Sequence, residues 1–377
     1  MAFAQVHPGD LIQSQNLNQV VNALNGTSGD GQPVLLVALN DPNNYALTVQ
    51  NLDPTNCRAL LVLKNDGTTL LSAGCNGVTL GSPLTLAAGA QIPNANLGPD
   101  VARANLLTNG GFEIWQRGNG PFTGGSVYTA DRWITYVASG DTFSITRDTT
   151  HGDNGAGVCM AVTYTRSTGG SQIQQVIEDV VQNRLRTFTF SVRVFQTVAN
   201  SVRIGIYDSV NGFRYSPVGT TVNAYQTLTL TAPIGATATN ITLVVDFQAS
   251  CTAYLDNANL VVGSQPANYV PLHPADDLAR CLRYYEVMGP GSTASLCVSG
   301  FQQAGATLQG TWRYVPKAIT PTVTKVGATW FVSNCSQPTL GGADKESVQY
   351  STTVTAQGGA AFYNSAAGQY VTVESNP

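Results

Sequence analysis

Apolar and polar positions alternate with a period of two through most of the chain. Thr187-Phe-Thr-Phe-Ser-Val-Arg-Val-Phe and Ile241-Thr-Leu-Val-Val-Asp-Phe are the clearest runs, and each reads as a half-buried strand. From residue 105 to 272 the spacing predicts strands at Asp131–Val137, Thr142–Arg147, Cys159–Thr165, Ser171–Ile177, Arg186–Phe195, Ser201–Tyr207, Gln226–Thr231, Asn240–Phe247 and Ala253–Val262. No helical interlude separates them, which points to an antiparallel β-sandwich. Asp208-Ser-Val-Asn-Gly-Phe-Arg-Tyr-Ser-Pro reads as a loop between two of them.

The period departs from two at two places. Leu17, Val20, Val21 and Leu24 recur at helical spacing with Gly26 as a stop, a stripe too short to stand alone. At 273–289, Pro274 occupies a first-turn position, Asp276 and Asp277 suit a helix's positive end, and Leu278, Cys281, Leu282 and Tyr285 share a face. Between the first helix and residue 80 run short strands (Val34–Leu39, Tyr45–Leu52, Arg58–Lys64, Thr68–Ala73, Val78–Leu80) punctuated by Asp-Pro, Asp-Gly and Asn-Gly turns. The stretch 81–104, rich in Ala, Gly, Pro and Asn, reads as a linker. After 290, strands resume at Ser295–Phe301, Thr307–Tyr314, Thr322–Val326, Thr329–Val332, Val348–Thr355, Ala360–Tyr363 and Gln369–Glu374. The expected fold is mainly β: an N-terminal anchor and shaft (1–80), a linker (81–104), a central jelly-roll sandwich (105–272), and a C-terminal small β-sandwich fronted by one helix (273–377).

Composition narrows the function. Charged residues make up 11% of the 377, against about 25% in an ordinary soluble domain. The net charge is −4 and only four of the 18 cations are lysine, so no basic platform for nucleic acid exists. No apolar run is long enough to insert in a membrane, and the first residues lack the pattern of a secretory signal. The seven cysteines are widely spaced and never form a C-x-x-C pair, which suits buried thiols of a reducing cytoplasm. No G-x-S-x-G elbow, P-loop or histidine cluster appears, so the chain is expected not to be an enzyme and to require no cofactor.

Asn105-Leu-Leu-Thr-Asn-Gly-Gly-Phe-Glu-Ile-Trp-Gln-Arg-Gly, followed by Asp131-Arg-Trp and the closing Tyr254-Leu-Asp-Asn-Ala-Asn-Leu-Val, resembles the galactose-binding-like carbohydrate-binding jelly rolls found in bacteriophage tail-fibre (receptor-binding) proteins. The helix Asp277-Leu-Ala-Arg-Cys-Leu-Arg-Tyr-Tyr-Glu and Trp312-Arg-Tyr-Val-Pro are similar to segments that follow such domains. The resemblance covers roughly 105–265. It implies a homotrimeric virion fibre, made in the bacterial cytoplasm, attached to other virion structural proteins through residues 1–80 and contacting a host surface glycan. A capsid-attached head fibre or decoration protein and a surface polysaccharide depolymerase are the alternatives. The resemblance also implies a structural calcium held by Glu113 and Asp256, with carbonyls from Asn109 and Gly110; carboxylate and carbonyl oxygens suit that hard cation. Aromatic faces pack on the apolar faces of sugars, so Trp115, Tyr136, Tyr207, Tyr215 and Tyr225 are the candidate contacts. Trp133, in an alternating run, belongs to the core.

Overall fold

The computed structural model describes residues 60–63, 69–74, 77–80, 104–153, 157–289 and 294–376. The helix expected at 17–24, the strands expected at 34–39 and 45–52, and nearly all of the linker at 81–104 lie outside the described residues. The chain forms two compact units, Met1–Gln91 and Ile92–Pro377. In the first, β1 (Leu60–Leu63), β2 (Thr69–Gly74) and β3 (Gly77–Leu80) make an antiparallel three-stranded sheet in register Leu60↔Ala73 and Leu71↔Leu80.

The second unit begins with β4 (Ile134–Tyr136), β5 (Thr142–Asp148), β6 (Cys159–Thr165), β7 (Ser171–Val176), a short α1 (Val180–Asn183), β8 (Thr187–Gln196), β9 (Val202–Asp208), β10 (Gly212–Tyr215), β11 (Tyr225–Pro233), β12 (Ile241–Phe247) and β13 (Cys251–Val262). They assemble into two five-stranded antiparallel sheets, β10-β9-β12-β7-β4 and β11-β8-β13-β6-β5. Alternation does the work expected of it. Phe188, Phe190, Val192 and Val194 of β8 and Ile241, Leu243, Val245 and Phe247 of β12 are fully buried in one shared core. Each such side chain contributes about 1.5–3 kcal/mol of burial. The nine predicted strands are present with ends shifted by a few residues.

The short α1 was not expected from sequence, nor was the strand at Thr339–Ala343, and two further segments were read differently. Residues 212–215, expected within a loop, form β10, because Asn211-Gly212 turns the chain back on β9. Asp208 Oδ1 accepts the Val210 and Asn211 N–H groups (2.9 Å each), and Gly212 takes a φ of 69°. The predicted helix at 273–289 is shorter: α2 (Pro274–Leu282) gives way to a strand, β14 (Tyr285–Met288). His273 Nδ1 caps α2 by accepting the Ala275 N–H at 3.2 Å. Its buried face carries Asp277 and Cys281, while Leu278 is 38% exposed and Tyr285 belongs to the strand. The buried carboxylate has a fixed partner: Asp277 Oδ1 accepts the Asn109 N–H at 3.1 Å.

After β14 come β15 (Cys297–Gln302), β16 (Thr307–Arg313), β17 (Thr322–Val326), β18 (Phe331–Ser333), β19 (Thr339–Ala343), β20 (Ser347–Thr353), β21 (Gly358–Tyr363) and β22 (Tyr370–Glu374). With β14 they form three antiparallel sheets of three strands around a second core of Trp330, Phe362, Val371 and Val373. Among the described residues no apolar cluster bridges the two cores. They meet across a polar seam of arginine–tyrosine stacks and ion pairs: Arg117 lies 3.6 Å over Tyr285 and grips Glu374 with two bonds of 2.7 and 2.8 Å. No helix among the described residues is long and apolar enough to cross a membrane.

Candidate functional site

The outer face of the β10-β9-β12-β7-β4 sheet carries a row of aromatic and polar side chains. Strand pairing sets its members side by side: Tyr207↔Phe213, Gly205↔Tyr215, Asp246↔Arg203, Asp246↔Gln172 and Gln172↔Tyr136. Tyr136 is 55% exposed on the edge strand and Phe213 is 46% exposed on the opposite edge. The Tyr207 and Phe213 rings lie 4.7 Å apart, and Phe213 and Tyr215 are near-parallel at 5.5 Å.

Tyr215 lies flat because residue 205 is glycine. A Cβ there would meet the Tyr215 ring and a Val244 methyl at 2.8 Å each. The Arg203 guanidinium stacks on that ring at 3.7 Å and donates from Nε to Asp246 Oδ2 at 2.6 Å. Gln172 Nε2 donates to Asp246 Oδ1 (3.1 Å) and to the Tyr215 hydroxyl (3.2 Å), and Gln174 Nε2 donates to Gln172 Oε1 (2.7 Å). Burial, followed by the Asp246 charge, pushes the Tyr215 phenol up, so it is a neutral donor and acceptor at neutral pH. The arrangement offers aromatic faces for apolar ring surfaces beside fixed amide, carboxylate and guanidinium groups for hydroxyls.

Three of the five candidate aromatics, Tyr136, Tyr207 and Tyr215, therefore share one face. The other two do not join it. Trp115 is only 9% exposed; its indole donates to the Phe112 carbonyl at 2.6 Å and its ring packs on Phe122, so it is a core residue and offers no platform. Tyr225 lies on the opposite sheet, edge-on to Phe195, with its hydroxyl donating to the His151 carbonyl at 2.5 Å. Burial pushes that phenol up strongly. Sequence reading missed Phe213, Gln172, Arg203 and Asp246. The Asn-Gly turn before Phe213 was the available signal, since it predicts a hairpin whose return strand alternates Phe213 and Tyr215 on one side.

The residues for which calcium was expected divide into two pairs. Asp256 Oδ2 accepts the Asp153 N–H (2.8 Å) and Oδ1 the Asn257 N–H (2.7 Å). Burial raises its carboxyl to about 6, and the Asp153 and Glu113 charges add to that rise, while Asp153 itself is held by Arg193 at 2.6 and 2.9 Å. Asn109 and Gly110 are committed elsewhere. The fully buried Asn109 amide bonds the Ile114 N–H, the Ile114 carbonyl and the Asp131 carbonyl, and its own carbonyl accepts the Trp133 indole at 3.0 Å. The Gly110 carbonyl accepts the Ala258 N–H at 2.8 Å. Among the described residues no three His, Cys, Asp or Glu side chains cluster as a metal site. The opening motif thus works as a clasp: Asn105 bonds Ala258 O (3.0 Å) and Leu260 N (2.9 Å), tying the first segment to β13. At Gly110 any Cβ would sit 2.3 Å from the Ala258 carbonyl.

No family model and no curated protein matches the chain. Among solved structures, similarity is found to the CBM22-1–GH10 modules of the Clostridium thermocellum xylanase Xyn10B complexed with xylohexaose: 15% identity over 43% of this chain, TM-score 0.33. The chain spans only 29% of that structure. The CBM22-1 xylan-binding domain of Paenibacillus barcinonensis Xyn10C (14% identity, 43% of this chain, 96% of that one, TM-score 0.31) is a second. TmCBM61 with β-1,4-galactotriose (12%, 42% and 99%, TM-score 0.30) is a third. At identities and TM-scores this low the likeness bears no weight, and the reading of the face rests on its geometry.

Proposed function

We propose that the chain is a non-enzymatic glycan-binding adhesin of a bacteriophage fibre, which meets host surface saccharide through the β10-β9-β12-β7-β4 face. One observation supports this reading above the others: Tyr207, Phe213 and Tyr215 form a continuous aromatic strip bordered by the Arg203–Asp246–Gln172 network. A strip only one sheet wide gives weak contacts. Several copies on one particle would multiply them, which is the physical advantage of the homotrimer and of anchoring through residues 1–80 to the virion.

The full chain, applied to an array of bacterial surface glycans, is expected to bind a defined subset, and Tyr215→Ala to lose that binding while melting as a cooperative unit. Binding that survives loss of both Tyr215 and Phe213 side chains would overturn the assignment of the face. Steady release of new reducing ends from a bound glycan would overturn the non-enzymatic role.

A further inference from the structure

Outside that face, Arg132 is anomalous. It is only 4% exposed and its backbone sits in the left-handed region at φ 74°, a conformation costly for a non-glycine residue. Its guanidinium lies 3.7 Å over Tyr284, and Nη1 and Nη2 donate to Asn376 Oδ1 (3.3 Å) and the Val176 carbonyl (2.5 Å). Nε has no partner in the protein. Arg117 Nη1 and Arg214 Nε likewise have no hydrogen-bond partner, but Arg117, Arg193, Arg203 and Arg214 each have a carboxylate within 4.0 Å, whereas Arg132 makes no ion pair among the described residues. A buried cation with an unused N–H is costly unless something else completes its shell.

Arg132 lines a cavity of about 190 Å³ together with Thr108, Val176, Glu178, Asp179 and Tyr284. That space is enough for several waters, or for one pyranose-sized ring in their place. Both signs of charge surround it. Glu178 pairs with Arg283 at 3.2 Å and its charge also acts on Arg132, while Asp179, itself at φ 53°, is an exposed carboxylate on the lining. An anion would meet two carboxylates and a cation would meet the guanidinium. A neutral ligand that carries acceptor and donor side by side satisfies both, accepting from Arg132 and donating to a carboxylate. Adjacent hydroxyls of a sugar ring have that chemistry.

We infer that the cavity between Arg132 and Asp179 is a second saccharide subsite, distinct from the aromatic sheet face, that takes one neutral sugar ring through a pair of neighbouring hydroxyls. The site stands whether or not the sheet face binds glycan. It places recognition near the seam with the C-terminal strands, because Tyr284, on which the Arg132 guanidinium stacks, lies between α2 and β14.

Hydrogen exchange followed by mass spectrometry on the full chain tests this. D-glucose, D-galactose and N-acetyl-D-glucosamine are added singly, with D-glucuronate as the anionic arm. At least one neutral sugar should slow exchange in peptides covering 105–109 and 176–183. Asp179→Asn keeps a residue that tolerates the left-handed backbone and should weaken that protection roughly tenfold, the loss of one hydrogen bond to a charged group. Arg132→Lys should abolish it; if that variant fails to fold, Asp179→Asn still decides. Tyr215→Ala should leave it unchanged. No protection by any neutral sugar, protection by glucuronate alone, or protection that disappears with Tyr215→Ala would each overturn the inference.

Discussion

Asp131 offers a quantitative test of the seam. Its carboxylate is 1% exposed, accepts the Gln116 backbone and side-chain N–H groups at 3.1 and 2.5 Å, and lies 3.7 Å from Arg117. Burial outweighs the Gln116 bonds and the Arg117 charge and lifts the carboxyl to about 6. Because the folded value lies above the ordinary one, the folded state holds the proton more tightly between about pH 4 and 6. Unfolding free energy must therefore fall as pH rises through that window. Two units at ~1.36 kcal/mol each give about 3 kcal/mol for this group. Asp256, also raised to about 6, acts in the same direction. Asp141 acts oppositely and lower: burial would raise it, but bonds from Tyr164, Ser167, Ser171 and Thr168 together bring it down to about 2. Its stabilisation is present above about pH 4 and is lost as pH falls towards 2.

The perturbation is Asp131→Asn, which removes the titration while keeping the side chain's shape. Melting of wild type and variant from pH 4 to 7, with chelator present throughout, isolates the group by difference. For a domain of this size about 3 kcal/mol corresponds to roughly 6–12 °C, and the wild type should lose that much more than the variant on going from pH 4 to 7. Parallel curves, or a wild-type midpoint that climbs relative to the variant, would refute the argument that burial dominates Asp131.

Gly205→Val should leave the fold intact at a cost of about 1–3 kcal/mol, yet displace the Tyr215 ring it would strike at 2.8 Å; glycan binding falls at least tenfold, and unchanged binding counts against the face. If Glu113 and Asp256 hold calcium, a hundredfold excess over Kd raises stability by about 2.7 kcal/mol, and Asp256→Asn abolishes the response; a midpoint indifferent to calcium and chelator rejects the site. Light scattering of the intact chain should give three times 39.6 kDa, and a clean monomer removes the trimer.

What was legible in the sequence was whatever depends on local periodicity. Period-two alternation located the strands of the sandwich because one face of each is excluded from water. Leu278, Tyr285 and Trp115 were misplaced for a shared reason. Each looks apolar along the chain, but its burial depends on which element docks against it. On α2 the docking surface presents the Asn109 N–H, which Asp277 satisfies and Leu278 could not. Trp115 is made part of the core by the return of Phe122 against its ring. The polar half of the sheet face was invisible for a related reason. Gln172, Arg203 and Asp246 stand on three strands whose adjacency is a property of sheet order.

That sheet order also explains why β12 is buried along its entire length although one side faces away from the core. Val244 lies close to the Tyr215 ring at Gly205, and Asp246 is met by the Arg203 guanidinium and the Gln172 amide. The Tyr215 ring fills the space that Gly205 leaves, Arg203 stacks on it, and Asp246 neutralises the guanidinium from below. Each group depends on the next: without Asp246 the arginine would be a half-buried charge with no partner, and without the arginine the ring would lose what holds it flat. A face whose aromatic and charged groups are fixed in this way meets a flat polar ligand with little side-chain entropy left to lose. The same residues therefore cover the middle of the sheet and would set the geometry of the proposed recognition.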